Sequence, residues 1–352
     1  MVTSIEIERF LQLAESWPVI DVRTPSEFAN GHIPCAFNLA LFTDEERKLI
    51  GTLYHTKSRD KALHTGFDIA GSKLNRLTEM AIKIAPGKKA LIHCWRGGMR
   101  SESVAFLLQT AGFDVFTLSG GYKSYRKKVL DGFEKPAFVI VLGGMTGSGK
   151  TKYLKMLDKK GFQVLDIEEL AVHKGSVFGA IGQSAQPTTE QFQNNVYEKW
   201  AKFDFSRIIF TEDESFEVGR VSLPSGLFRL ILNAPMINLM LDRKLRAENL
   251  AAEYGGRDED LKAAFTSIEK RIGRMNMKKA LEAILRKEYA AAAEIALHYY
   301  DKAYKAAISR RDATSVFSVK INEGDDGSAV DDIIILAESI CDSFFHPGAA
   351  KK

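Results

Sequence analysis

The sequence predicts an α/β protein built as two domains, each around a mostly parallel sheet. Three observations carry that expectation. Short apolar runs alternate with helical patterns along the chain. Two glycine-rich loops, "HCWRGGMRS" at 93–101 and "GGMTGSGKT" at 143–151, each follow an apolar run and open a helical pattern. A length of 352 residues is enough for two separate cores.

"PVIDVR" (18–23) reads as a buried strand, with a helix around "SEFAN" after it. "KALIHC" (89–94) is a second strand, and "SESVAFLLQTAGF" (101–113) a helix that starts with a serine near its N-cap. "DVFTLSGG" is a third strand, ending in a glycine turn. Near "DGFEKPAF" (131–138) this pattern stops, which sets the expected domains at 1–132 and 133–352.

The second half opens strand–glycine loop–helix, from "AFVIVLGG". "FQVLDIEEL" is a strand ending in Asp166 and Glu168, and "RIIFTEDES" one ending at Glu212, Asp213 and Glu214. "GLFRLILNAP" is expected as one more strand. From about 236 to 312 the composition is helical, rich in Ala, Leu, Lys and Glu, and the "HPGAAKK" tail is expected to be disordered.

A hydrophobic content of 45% with 27% charged residues is that of an ordinary soluble globular chain. No apolar run approaches the roughly 18–20 residues of a membrane span, so no membrane partner is expected. "MVTSIEIERFLQLAE" lacks a basic n-region and apolar stretch, so no secretory signal is read. Cys35, Cys94 and Cys341 form neither a CxxC pair nor a zinc spacing, which points to a reducing, cytoplasmic setting.

The net charge of +4 is unevenly spread. Between Arg243 and Arg311 stand 16 Lys/Arg against 10 Asp/Glu, an excess of six that leaves the remainder slightly acidic. A basic helical face is one signature of a nucleic-acid partner, although more charge runs are simply solvated faces. Arg243, Arg246, Arg271, Arg274, Lys278 and Lys279 are the candidate contacts to RNA phosphates.

In the first glycine loop, Cys94 is the candidate nucleophile. A thiol acts as a thiolate, and its pKa of about 8.5 must be lowered. The loop leads into a helix N-terminus, whose dipole and free amides favour negative charge. Gly97 and Gly98 let successive amides turn inward as a nest, Arg96 and Arg100 add positive charge, and Trp95 and Met99 complete the loop. The spacing Cys-x5-Arg-Ser is shared with protein tyrosine phosphatases, so a loop for phosphate and a loop for a bulky chalcogen both remain open.

The second loop, Gly144-Met-Thr146-Gly147-Ser148-Gly149-Lys150-Thr151, fits GxxxxGK[ST] after a strand and before a helix. Its amides would cradle phosphate oxygens, Lys150 would reach the terminal phosphate, and Thr151 could ligate Mg²⁺. Asp166 and the Glu212–Glu214 cluster are the acids that could share such an ion, with no metal ligand firmly assigned and no tightly bound cofactor expected. No base-specificity motif is visible, so an organic diphosphate that is not a nucleotide fits equally well.

"DVRTPSEFANGHIPCAFNL" (21–39) resembles the opening of rhodanese domains, through Asp21, Arg23, Glu27, Gly31, His32, Ile33, Pro34 and Asn38. Cys35 departs from that pattern, which usually has glycine there. A rhodanese-like domain joined to a P-loop NTPase-like domain resembles the tRNA 2-selenouridine synthase family. "LSGGYKSYRK" (118–127), "DIEELAVHKGSVFG" (166–179), "QPTTEQF" (186–192) and "TEDESFEVGRVSLP" (211–224) carry the likeness over most of the chain.

The resemblance implies that selenium replaces the sulfur of wobble 2-thiouridine in tRNA, with selenophosphate as donor, delivered by its supplying enzyme. It implies two steps: S-geranylation from geranyl diphosphate, then displacement of the geranylated sulfur. Cys94 falls on the family's selenium-carrying cysteine. Two other readings stay in view: a phosphatase or sulfurtransferase fused to a small-molecule kinase, and a nucleotide-switched RNA-binding protein with a vestigial cysteine loop.

Overall fold

The computed structural model describes residues 2–345, without the side chains of Phe344 and Phe345; the "HPGAAKK" tail lies outside the described residues. Two compact units are present: Met1–Gly132 with Gln193–Glu198, and Phe133–Phe192 with Lys199–Lys352.

The first unit runs β1 (Thr3–Ile5), α1 (Ile7–Ala14), β2 (Val19–Asp21), α2 (Pro25–Asn30), β3 (Phe37–Asn38), α3 (Asp44–Thr56), α4 (Arg59–Gly71), α5 (Leu74–Ile84), β4 (Lys89–His93), α6 (Met99–Thr110), β5 (Asp114–Leu118) and α7 (Gly121–Asp131). Its five strands are all parallel, in the order β1-β5-β4-β2-β3. β4 reads apolar without alternation because both faces are covered: Ala90, Leu91 and Ile92 are fully buried. Ile92 joins Leu77, Ala81, Val104 and Leu108 from the covering helices in one core.

α6 starts at Met99, two residues before the expected start. Gly98 is its N-cap, and Ser101 lies inside the first turn with its hydroxyl turned back to the Gly98 carbonyl at 2.9 Å. The three helices between β3 and β4 had no expected counterpart. The periodicity of α3 and α4 is weak, and α3 has no buried residue at all, whereas α5 buries Leu77 and Ala81 four residues apart.

From residue 133 on the chain runs β6 (Val139–Gly144), α8 (Lys150–Lys159), β7 (Gln163–Leu165), α9 (Ile167–Ala171), α10 (Thr189–Trp200, whose Gln193–Glu198 count with the first unit), β8 (Ile209–Glu212), β9 (Glu217–Val218), β10 (Val221–Ser222), α11 (Ser225–Asn233), β11 (Met236–Met240), α12 (Arg243–Tyr254), α13 (Asp258–Ser267), α14 (Glu269–Ile272), α15 (Arg274–Leu285), α16 (Tyr289–Ile308), β12 (Val316–Lys320) and α17 (Asp326–Phe345). Five parallel strands stand in the order β12-β11-β6-β8-β7. Central β6 is buried at every position.

Two expectations are corrected here. "GLFRLILNAP" forms α11 instead of a strand, because Leu227 and Ile231 fall four residues apart on one buried helical face. The helical region starts at Arg243, since Met236–Met240 is the strand β11, paired on both edges. α13 to α16 then pack on Phe178, Ile181 and Tyr254 to form a separate helical core. Asp166 caps α9 by accepting from the Glu169 amide at 2.7 Å, so the strand before it ends at Leu165.

Candidate functional site

Both glycine loops leave the carboxyl end of the central strand of their own sheet, where parallel sheets open a crevice. The first follows β4. Cys94 is 4% exposed, and its Sγ accepts the Gly98 amide at 3.4 Å and lies 3.2 Å from Ser101 Oγ. Burial opposes ionisation of the thiol. Hydrogen bonds from Ser101 Oγ and from the amides of Gly98, Ser101 and Arg96 outweigh it, so the thiol sits below its ordinary range.

The loop is held open from outside. The amides of Tyr122 and Lys123, in the first turn of α7, donate to the carbonyls of Cys94 (2.8 Å) and Trp95 (3.0 Å). Those carbonyls are thereby kept away from the sulfur. Gly97 has a φ of +66°, and a Cβ there would meet the Leu118 carbonyl at 2.5 Å. Trp95 and Met99 project to solvent at 37% and 53% exposure, and Arg96 is exposed beside them. Arg100 makes a paired contact with Glu27, Nη1 to Oε2 at 2.6 Å and Nη2 to Oε1 at 3.2 Å, so its guanidinium braces the loop.

The residues of the 21–39 pattern form the support behind this loop. Arg23, fully buried, is bound to Asp21 at 2.6 Å and to the Gly31 carbonyl at 2.6 Å, with its guanidinium 3.8 Å from the Tyr122 ring. Asn38 Nδ2 donates to the carbonyls of Asp21 and Arg23. Glu27 closes a capping box with Thr24 while it holds Arg100. Cys35 has a φ of +63°, which explains why glycine is the easier residue there. His93 is fully buried, and neither ring nitrogen has a hydrogen-bond partner; burial holds it below its usual range, hence neutral.

The second loop wraps the N-terminus of α8. Gly144, Gly147 and Gly149 all have positive φ. Gly147 also has no room for a side chain, since a Cβ would lie 2.7 Å from the Arg246 carbonyl. Lys150 Nζ reaches the Gly144 carbonyl at 3.3 Å, and Ser148 Oγ is buried in the loop without a partner. Thr151 Oγ1 donates to Glu168 Oε2 at 3.0 Å.

Acids gather beyond the loop. Burial, with Asp166 and Glu168 alongside, holds Glu212 well above the usual carboxylate range. Glu214 is pushed up to about 8 by burial and by neighbouring Glu168. Among the described residues no three His, Cys, Asp or Glu side chains form a metal-holding group. The loop opens into a cavity of about 1380 Å³ that also takes in residues of α11, α12 and α16.

Three residues from the basic helical segment grip this loop. Arg246 Nη1 donates to the Thr146 carbonyl (3.2 Å), Asn249 to the Gly147 carbonyl (2.9 Å), and Tyr304 Oη accepts the Gly144 amide (2.6 Å). Arg246 must therefore be removed from the RNA candidates. It is 3% exposed and bound bidentately to Asp301 at 2.7 and 2.8 Å, because its i, i+3 position on α12 faces α16. Arg243, Arg271, Arg274, Lys278 and Lys279 are exposed.

Two arrangements of this kind in one chain have a counterpart. Residues 137–326 match the tRNA 2-selenouridine synthase AAA domain, and residues 6–128 match the rhodanese-like domain. The chain belongs to the tRNA 2-selenouridine synthase family. The tRNA 2-selenouridine synthase of Nitrosomonas europaea is 36% identical over 245 residues, 67% of this chain and 63% of that protein. The Aeromonas salmonicida protein of the same name is 34% identical, covering 67% of this chain and 64% of its own length. That of Shewanella denitrificans is 31% identical over 76% of this chain and 79% of its own. The match to the first two relatives thus spans a little under two thirds of their length.

Ser101 was marked in the sequence as the serine after the loop arginine and near a helix start, but not as a partner of the Cys94 sulfur. Asn249, Asp301 and Tyr304 were not singled out. Asn249 and Tyr304 stand 102 and 160 residues from the loop they hold, Asp301 acts through Arg246, and no local pattern marks any of them.

Proposed function

We propose that the chain exchanges the sulfur of wobble 2-thiouridine in tRNA for selenium in two steps. In the first, the thiocarbonyl sulfur attacks C1 of geranyl diphosphate. The S–C bond forms, the C–O bond to diphosphate breaks, and the base loses its N3 proton. Lys150 and the amides of Thr146, Gly147, Ser148, Gly149 and Thr151 would take up the charge of the departing diphosphate. Where Mg²⁺ accompanies the diphosphate, Thr151 and Glu168, hydrogen-bonded to each other beside the loop, would be its oxygen donors, and such an ion would neutralise leaving-group charge.

In the second step selenium replaces the geranylated sulfur, which leaves as a thiol where the unmodified thiocarbonyl could not. The Cys94 loop, from Trp95 to Arg100, would receive selenophosphate beside the Cys94 thiolate. Its selenium, at the selenide level throughout, would bond to C2 of the base as the C–S bond to geranylthiol breaks; water would then cleave the Se–P bond and release phosphate. The enzyme that makes selenophosphate would be a partner. tRNA would dock on Arg243, Arg271, Arg274, Lys278 and Lys279. Among the described residues no helix is long and apolar enough to cross a membrane. A cytoplasmic setting, where tRNA is found, follows from this reading.

The observation that supports it is the pair of differently built anion cups: one closes on a thiol stabilised as thiolate, the other on a lysine and an unpartnered buried hydroxyl. The test is to incubate 2-thiouridine RNA with the protein and geranyl diphosphate, then add selenophosphate, taking the RNA mass after each addition. Lys150→Ala should block the first mass change and Cys94→Ala only the second. Loss of the opposite step in either variant would reverse the assignment.

A further inference from the structure

Trp95 is a residue whose type the shape of the Cys94 loop does not require. The bend is set by the positive φ of Gly97, by the amides of Tyr122 and Lys123 on the carbonyls of Cys94 and Trp95, and by Arg100 on Glu27. To that frame Trp95 gives only its carbonyl, which any residue has. Its indole nevertheless stands 37% exposed, while Trp200 is 1% exposed. An indole kept partly in water forgoes burial that would stabilise the fold.

The ring is held from behind. Tyr122, fully buried, has its ring centroid 5.8 Å from that of Trp95, tilted by 44°. The Arg23 guanidinium, fixed by Asp21, stands 5.9 Å from the indole and 3.8 Å from the Tyr122 ring. The first turn of α7 thus supports Trp95 twice, through the Lys123 amide on its carbonyl and through the Tyr122 ring. The result is a flat aromatic surface, backed by the core and open to solvent over the rest.

We infer that Trp95 is the platform on which the wobble base stacks when it reaches the Cys94 loop. The inference rests on the two-step reading and adds the residue that holds the nucleoside there. Trp95 adjoins Cys94 in the chain, with Cα atoms about 3.8 Å apart, so a base on the indole is brought to the loop that binds the donor. The wobble base lies in a single-stranded loop, and unpaired RNA bases are taken up on aromatic faces. Exposed Arg96, next in the chain, offers positive charge to the flanking phosphates. A docked protein would need several hundred Å² of continuous apolar surface. Here Arg96 and two glycines separate Trp95 along the loop from the next exposed apolar side chain, Met99.

The test uses the full chain and two anticodon stem-loop RNAs, one with 2-selenouridine at the wobble position and one abasic there. 2-Selenouridine is the product of the step assigned to this loop, so its base belongs beside Cys94. Affinities are taken by fluorescence anisotropy at one salt concentration. The native protein should bind the 2-selenouridine RNA about ten-fold tighter, the size expected for one base stacked on an aromatic ring. Trp95→Ala should remove that advantage and leave the affinity for the abasic RNA as it was. Trp95→Phe, which keeps a ring face, should retain most of it. The pH at which the Cys94 thiol ionises should be the same in both variants as in the native protein.

Equal affinity of the native protein for the two RNAs would overturn the inference. So would an advantage that survives in Trp95→Ala, its complete loss in Trp95→Phe, or a weakening that falls alike on both RNAs. A shifted Cys94 ionisation in Trp95→Ala would assign the indole to the loop's own structure and overturn it too. Neither donor nor turnover enters, so this outcome separates from that of the two-step reaction. Stacking without any selenium transferred would refute the reaction alone. The expected mass changes, with the advantage intact in Trp95→Ala, would refute the stack alone.

Discussion

A Cβ on Gly121 would lie 2.4 Å from the amide nitrogen of Gly97 and 2.5 Å from the Cys94 carbonyl. The glycine turn after β5 thus presses directly on the cysteine loop, backbone against backbone. Neither side can yield by changing a rotamer. Gly121 also has a φ of +61°. Gly121→Ala should cost about 2 kcal/mol through strain and displacement of the loop, and, under the proposed reaction, selenium incorporation should fall with it. A urea melt of the variant checks the first part, and unaltered stability would mean that the turn can move aside.

The thiolate of Cys94 is stabilised by hydrogen bonds that outweigh its burial. A thiol lowered in this way ionises before an ordinary cysteine as pH rises. Thiolate absorbance near 240 nm, taken as the difference between the native protein and Cys94→Ser, should therefore rise at a pH below the usual cysteine range. Ser101→Ala should move that rise to higher pH, because the Oγ contact at 3.2 Å disappears. An unmoved titration would assign the stabilisation to the amides alone.

Cys35 occupies a left-handed backbone position while exposed to solvent. Cys35→Gly should raise stability by about 0.5–1 kcal/mol, the strain relieved less the greater entropy of glycine in the unfolded chain. The thiolate titration of Cys94 should be unaffected. A thermal melt of the variant beside the native protein measures the difference; a lower melting temperature would show that the side chain packs favourably.

Breaking the Arg246–Asp301 pair leaves a carboxylate unpaired where the arginine is almost completely buried. Arg246→Met should destabilise the second unit by about 3 kcal/mol and weaken pyrophosphate binding, since the Thr146 carbonyl loses its donor. Denaturant unfolding and pyrophosphate titration of the variant test both effects together. Retained pyrophosphate affinity would show that the loop keeps its form without this tether.

Removing the exposed charges should act differently. With Arg271, Arg274, Lys278 and Lys279 all changed to Gln, the dependence of log K for tRNA on log salt should fall by about three. Stability should barely change, because none of these side chains is buried. Filter binding over a range of salt concentrations measures the slope. An unchanged slope would place the RNA on another face.

The parallel strands and both glycine loops were legible in the sequence because each is a local signal. Apolar runs such as "KALIHC" and "AFVIVLGG" need no partner to be recognised, and glycines before a helical pattern mark a turn wherever they occur. α11 was misread for the same reason. "GLFRLILNAP" is apolar enough for a strand, and its helical period appears only once Leu227 and Ile231 are seen on one buried face. Of the helices between β3 and β4, α3 and α4 bury too little on one side to leave a clear period, while the period of α5, with Leu77 and Ala81 on its buried face, was legible and not read.

What the amino-acid order determined unaided was the chemistry on offer: a cysteine among glycines and arginines, a lysine in a phosphate-type loop, and a basic stretch of helix. Folding decided what those groups do. It took Arg246 out of solvent and turned it to Asp301 and the Thr146 carbonyl, set Arg100 against Glu27, and brought Tyr304 to Gly144 across 160 positions of chain. The reason is that a side chain's type is carried by one residue, while its exposure and partners depend on which distant elements pack against it. Packing is settled by the burial of whole helix faces, and no single stretch of sequence contains that information.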